Sequence, residues 1–171
     1  MSIHHVHAGD VRLGLPGDEL RAVLGSCVAV TLWHPGKRVG VMSHVLLPRR
    51  GASRRPADPI EQDGRFAEDA LQLMVDRLRD AGVEPCECTC KIFGGAQVFA
   101  GGDSRVGNAN VRALKSLLSR AGVAIVSENV EGTGHRVIRF VVETGEVWVS
   151  HRQSAIASGG GGNDDQRDGG R

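Results

Sequence analysis

The stretch CVAVTLWHPGKRVGVMSHVLL, residues 27–47, has the pattern of a β-hairpin. Residues 27–33 are rich in β-branched side chains, and residues 39–47 form a second apolar run that ends before Pro48. Between the two runs, His34-Pro35-Gly36-Lys37 has the composition of a turn. The stretch therefore predicts two neighbouring antiparallel strands, with Cys27 at the start of one strand and His44 on the other.

The predicted turn also indicates which residues face each other across the hairpin. If the chain reverses about Pro35-Gly36, paired residue numbers add up to 71, so Cys27 lies opposite His44. Directly opposite residues share a sheet face, with Cβ atoms about 4.5–5.5 Å apart. A register slip of one residue would place the two side chains on opposite faces.

A thiol beside an imidazole is the arrangement that cysteine hydrolases need. A free thiol, with a pKa of about 8.5, is only a few per cent thiolate at neutral pH. A neighbouring histidine lowers that pKa and later protonates the leaving group. The small residues Gly25 and Ser26 allow a carbonyl carbon to approach Cys27 and offer backbone N–H groups to an oxyanion. The alternative is that Cys27 is only a small buried core residue.

The rest of the chain predicts an α+β fold, with helices packed on a mostly antiparallel sheet core in a single domain. The domain covers residues 1–157, and the Gly-rich tail, residues 158–171, is expected to be disordered. The expected strands are residues 3–13, 86–93, 123–127, 136–143 and 146–150, and the expected helices are residues 64–81, ending at Gly82, and residues 108–121.

Composition narrows the class of protein. Net charge is +1, with 40% hydrophobic and 24% charged residues, so no overall charge favours nucleic acid or a membrane surface. No apolar run approaches the ~20 residues of a membrane span. The four cysteines, without a signal sequence at the start, indicate free thiols in the cytoplasm.

Four segments, in order, resemble motifs of the CheD family of chemoreceptor glutamine deamidases. They are Gly25-Ser26-Cys27-Val28-Ala29-Val30, Gly40-Val41-Met42-Ser43-His44-Val45-Leu46-Leu47-Pro48, Lys91-Ile92-Phe93-Gly94-Gly95-Ala96 and Val106-Gly107-Asn108-Ala109-Asn110-Val111. The resemblance covers roughly residues 5–150. It implies a β-sandwich-like α+β core with flanking helices.

The resemblance also implies an activity. Members convert specific glutamines of methyl-accepting chemotaxis receptors to glutamate with release of ammonia, some act on receptor methyl esters, and many bind the phosphatase CheC. Carried over, Cys27 is the nucleophile of a thioester mechanism and His44 its general base, with no metal or organic cofactor. The family's third catalytic group is a Thr or Ser shortly before the cysteine, but Arg21, Ala22 and Val23 carry no hydroxyl. A catalytically impaired binding module is therefore the alternative function.

Further residues are candidates for shaping the site or for docking. Ser43 is a second hydroxyl near the pair, and Gly94-Gly95 predicts a tight turn near the site rather than a phosphate loop, because the Walker spacing is absent. The arginines after the His44 strand either dock acidic receptor helices or form a solvated loop: Arg49, Arg50, Arg54 and Arg55. Cys86, Cys88 and Cys90 share one face of the expected strand, which favours a core stripe over a metal site. His135 and His151 are expected to be ordinary surface or strand-end residues.

Overall fold

A computed structural model describes residues 1–51, 61–98, 105–152 and 165–168. Within these residues the chain forms ten strands and two helices. The strands are β1 Ser2–His5, β2 Val11–Gly14, β3 Asp18–Leu24, β4 Val28–His34, β5 Val39–Val45, β6 Thr89–Gly94, β7 Ile125–Val130, β8 His135–Val141, β9 Glu146–Arg152 and β10 Asp165–Asp168, and the helices are α1 Ala67–Asp80 and α2 Arg105–Arg120.

The strands form two five-stranded sheets. The outer sheet has the order β1-β3-β8-β9-β10, and the central sheet has the order β2-β5-β4-β6-β7. The pairs β1–β3 and β6–β7 are parallel, whereas the other neighbours are antiparallel. The predicted α+β fold with a mostly antiparallel sandwich-like core is confirmed.

Two apolar clusters divide the molecule into three layers. One cluster lies between the sheets and combines Leu20 and Phe140 of the outer sheet with Met42 and Phe93 of the central sheet. The other lies between the central sheet and the helices, where side chains such as Met74 of α1 meet the opposite sheet face. The central sheet is thus covered on both faces, which explains why all seven residues of β5 are buried.

The helices form where apolar spacing predicted them. In α1 the buried residues are Ala67, Ala70, Leu71, Met74 and Leu78. Gly82 follows α1 with a φ of +69°, as its predicted capping role requires. In α2, Val111, Leu114 and Leu118 are buried as expected, whereas Leu117 is only partly buried.

Two predictions about strands were wrong, and one strand was not predicted. Residues 3–13 form two strands, because the backbone N–H of Asp10 donates to the His7 carbonyl and its carboxylate accepts from the His7 N–H, closing a turn before β2. Strand β3 was not predicted. Residues 85–87 form a 3₁₀ turn that begins at Pro85, so Cys86 is exposed, Cys88 is half-buried against the core and Cys90 lies within it.

The tail differs in one place from what its composition predicts. Residues 165–168 form β10, which pairs with β9 at the edge of the outer sheet, although the sequence predicts no order there. The neighbouring residues 153–164 and 169–171 lie outside the described residues. The domain boundary at residue 157 therefore stays a prediction.

Candidate active site

Cys27 lies directly before β4 and is half-buried. The turn after β6 packs against its main chain: the Gly95 N–H donates to the Cys27 carbonyl at 2.8 Å, and the Ala96 N–H donates to the Gly25 carbonyl at 2.9 Å. Gly94 has a φ of +104°, and a Cβ there would lie 2.2 Å from the Cys27 carbonyl oxygen. Only glycine permits this approach, so the predicted Gly-Gly turn lies beside the candidate nucleophile.

His44 lies on β5 and is 5% exposed. Its Nδ1 lies 2.9 Å from the backbone carbonyl oxygen of Val6. A carbonyl only accepts hydrogen bonds, so this partner assigns the proton of the neutral ring to Nδ1 and leaves Nε2 free to take a proton. The main chain of His44 is also held, because its N–H donates to the Asp10 carbonyl and its own carbonyl accepts from the Gly9 N–H.

The strand register differs by two residues from the predicted one. His44 pairs with Ala29, so Cys27 and His44 are diagonal neighbours rather than directly opposite. A shift of two residues preserves the face of each side chain, whereas a shift of one would not. Cys27 and Ala29 contact the same cluster between the sheets. Diagonal Cβ atoms are typically about 7–8 Å apart, and in the described residues no hydrogen bond joins the two side chains.

The turn between the strands causes this difference. His34 pairs with Val39, so the connection contains four residues instead of the predicted two. The Lys37 N–H donates to Nδ1 of His34, and Arg38 takes a φ of +51°. A left-handed arginine and a side-chain cap stabilise the longer loop, and Pro-Gly composition predicts neither.

Burial sets the protonation of both candidate catalytic groups. Desolvation raises the pKa of the Cys27 thiol, and a hydrogen bond from its own backbone N–H opposes this. Desolvation also lowers the pKa of His44, against the Val6 hydrogen bond and the nearby Asp10 carboxylate. At neutral pH the pair is therefore a neutral thiol and a neutral imidazole. A neutral imidazole can accept a proton, whereas a preformed thiolate would need a protonated one.

Comparison with known proteins identifies the family. A family model described as "CheD chemotactic sensory transduction" matches residues 46–151. A protein named "Probable chemoreceptor glutamine deamidase CheD 2" from Albidiferax ferrireducens is 44% identical over 149 residues, 85% of this chain and 84% of that protein. The chain belongs to the CheD family.

A second relative extends the similarity across the candidate site. "Probable chemoreceptor glutamine deamidase CheD 3" from Dechloromonas aromatica is 36% identical over 160 residues, covering 91% of this chain and 92% of that protein. Because this alignment leaves less than a tenth of the chain uncovered, it takes in Cys27 and His44. Both residues lie before the segment that the CheD family model matches.

Asn110 connects the two segments of the candidate site. It is completely buried on α2, and its Nδ2 donates to the Ser26 carbonyl at 3.2 Å and to the Leu46 carbonyl at 3.0 Å. Ser26 precedes Cys27, and Leu46 follows His44 by two residues. Sequence reasoning placed Asn110 in a motif but gave it no role, and the available signal was a polar residue on an otherwise apolar helix face.

The connection between β7 and β8 forms a second support of the site, at the glycine-rich turn that the resemblance placed near the active face. The Glu131 N–H donates to the Gly94 carbonyl, and the Gln97 N–H donates to the Gly132 carbonyl. Buried Arg136 donates to the Glu131 carbonyl and, through Nε, to Oδ1 of Asn129 at 2.6 Å. The loop is thereby fixed against the Gly94-Gly95 turn.

His135 is the first residue of β8, which agrees with the predicted strand-end position, but it also lies close to the site. A Cβ built on Gly25 would lie 3.5 Å from Cδ2 of His135. The ring is therefore beside the segment that leads to Cys27. His151 instead contacts Asn129, with its Nε2 3.3 Å from Nδ2 of that residue.

Some predicted site residues are not brought to Cys27. Ser43 is completely buried and, by strand alternation, points away from the face that carries His44. Arg50 is half-buried, pairs with Asp69 and stacks over Phe66, 5.1 Å from the ring centroid. Arg49 is exposed. Arg54 and Arg55 lie outside the described residues. Within the described residues, neither α1 nor α2 is long and apolar enough to cross a membrane.

Proposed function

We propose that this protein is a cytoplasmic protein-glutamine glutaminase that hydrolyses glutamine side chains of chemoreceptors to glutamate and ammonia. The observation that carries the proposal is the location of Cys27 and His44 on one face of the β4–β5 hairpin, with Nδ1 of His44 held by the Val6 carbonyl. Family membership and the names of the relatives support the substrate class.

The proposed reaction begins with a neutral pair. As the thiol attacks the carboxamide carbon, its proton passes to Nε2 of His44, and a carbon–sulfur bond forms. The imidazolium then gives this proton to the departing amine, so ammonia leaves and a thioester remains on Cys27. This order agrees with a histidine whose pKa is low enough for it to be unprotonated at neutral pH.

Water completes the cycle. His44 removes a proton from the water molecule as its oxygen attacks the thioester, and the thiol leaves with that proton. The products are glutamate and the free Cys27 thiol, so one water is consumed for each ammonia released. The backbone around Gly25 and Ser26 is the proposed source of N–H donors for the oxyanion.

A catalytically impaired module that binds receptors or a CheC-like partner is the second candidate. The absence of a hydroxyl at Arg21, Ala22 and Val23 favours it, as does the raised pKa of the Cys27 thiol. Both candidates need the same surface near Cys27 and differ in whether the thiol is required.

Ammonia release from a purified receptor cytoplasmic fragment distinguishes the two. We expect release by wild type and by Cys86→Ala, the control with an exposed cysteine, and no release by Cys27→Ala. Mass spectrometry of the fragment locates the converted glutamines. Release by Cys27→Ala equal to that of wild type refutes the thioester mechanism. Absence of release by wild type, with binding of the fragment retained, favours the binding module.

A further inference from the structure

A groove of about 600 Å³ runs along the solvent side of α2. Its floor and one wall come from residues that recur every three or four positions and so share one helix face: Ala109, Arg112, Ala113, Ser116, Leu117 and Arg120. Pro48, Arg49 and Glu68 form the opposite wall. The groove therefore lies between α2, the start of α1 and the segment that leaves β5.

Three arginines of this groove are available to a partner. Arg49, Arg112 and Arg120 are exposed, and within the described part of the chain none of them forms an ion pair or donates a hydrogen bond. Nearby Arg50, by contrast, is held by Asp69. Glu68 is the one carboxylate among the lining residues, so positive charge is in excess.

The floor between these arginines is apolar and smooth. Ala113 and Leu117 are partly buried and pack against the cluster under the helices. From Ala109 to Arg120 the helix rises about 16 Å, or three turns. Small side chains allow a partner helix to approach closely, and the guanidinium groups at the margins can pair with carboxylates.

One end of the groove is formed by residues that are close in the chain to the supports of the candidate active site. Ala109 lines it, and the next residue, Asn110, contacts the Ser26 carbonyl next to Cys27. Pro48, on the other wall, follows His44 by four residues. A chain segment lying in the groove thus covers the turn of α2 that contacts the Ser26 carbonyl and continues along the helix.

We infer that this groove docks an acidic helical segment of the receptor substrate and so directs a neighbouring glutamine to Cys27. The inference rests on the proposed function for the identity of the partner. Charge complementarity and the three-turn length favour a helix with exposed carboxylates over an apolar or basic partner. Steering by such a positive patch raises the rate of encounter and depends on salt.

Binding of a purified receptor cytoplasmic fragment, measured in the Cys27→Ala background, tests the groove without turnover. We expect Arg112→Glu and Arg120→Glu each to weaken binding by about tenfold at low salt and to reduce its salt dependence. Glu68→Gln is expected to strengthen binding, because it removes the one opposing charge. Arg79→Glu is the control: Arg79 is an exposed helical arginine that is not part of the groove, although it pairs with Glu84.

The pattern across these variants decides the matter. Equal weakening by Arg79→Glu indicates a general charge effect and overturns the groove, as does unchanged binding in Arg112→Glu and Arg120→Glu. Self-association lost in the groove variants identifies a second copy as the occupant and also overturns the receptor partner. Ammonia release is measured separately with Cys27 intact, so failure of the proposed reaction leaves a binding result that can still be judged.

Discussion

Substitution of Asn110 tests whether one buried amide holds the Cys27 and His44 segments in place. Nδ2 of Asn110 serves the carbonyls of Ser26 and Leu46, whereas Oδ1 is buried and, in the described residues, has no partner. Turning the amide over would direct Oδ1 at two carbonyl oxygens. The two acceptors therefore fix the orientation of the side chain.

The expected loss of stability follows from these contacts. Asn110→Ala leaves two part-buried carbonyls without this donor, at about 1–3 kcal/mol each. It also removes the unpaired Oδ1, which returns about 1–3 kcal/mol, and alanine is the better helix former by about 0.5 kcal/mol. We expect the free energy of unfolding to fall by about 2 kcal/mol. Asn110→Asp keeps the shape but places a carboxylate against both carbonyls, so a larger loss is expected.

Urea unfolding measures the loss of stability, and ammonia release from the receptor fragment measures the loss of activity. Asn108→Ala is the control, since Asn108 lies on the same helix, is only partly buried and makes none of these contacts. Below the unfolding transition, we expect kcat of Asn110→Ala to fall tenfold or more, because displacements of about 1 Å can slow a reaction about 100-fold. A change in stability under about 0.5 kcal/mol, with kcat unchanged, refutes the reasoning.

Three further predictions concern Cys27 and its surroundings. Gly94→Ala should destabilise the fold by more than Gly17→Ala. A side chain at either position must adopt a positive φ, which costs about 1–2 kcal/mol, but only at Gly94 does the new Cβ also clash with the Cys27 carbonyl. Equal losses of stability in urea unfolding would argue against this close packing. The rate of iodoacetamide modification of Cys27 should rise with pH to a midpoint above the ordinary thiol value of about 8.5, since burial raises its pKa. Activity should fall only as the pH drops below about 6.5, because His44 has a lowered pKa and stays unprotonated above it. An alkylation midpoint below pH 7 would instead show a preformed thiolate–imidazolium pair.

Alternation along the strands predicted the faces of the hairpin, but not its register. The period of two places Cys27 and His44 on one face for any even shift, so their proximity was accessible from the sequence. The size of the shift depends on the conformation of Arg38 and on the cap that His34 provides to Lys37. These features depend on local geometry rather than on residue type.

The supports of the site differ in how visible they are in the sequence. Gly94-Gly95 was predictable as a turn because glycine permits positive φ. Its contact with Cys27, by contrast, consists of backbone hydrogen bonds between segments far apart in the chain. The contact of His44 with the Val6 carbonyl could not be predicted from the sequence either, since any residue at that position supplies a carbonyl.

Backbone contacts can orient His44 although no hydroxyl is present at residues 21–23. Ala22 is the only one of the three positions whose side chain enters the cluster between the sheets, whereas Arg21 bonds Glu19 and Val23 is 61% exposed. The Arg21 carbonyl nevertheless accepts from the Val6 N–H at 2.8 Å, and the Val6 carbonyl in turn binds His44. These two hydrogen bonds of the Val6 main chain orient the imidazole without any side chain from β3. The absence of a threonine or serine in this segment is therefore compatible with a working cysteine–histidine pair.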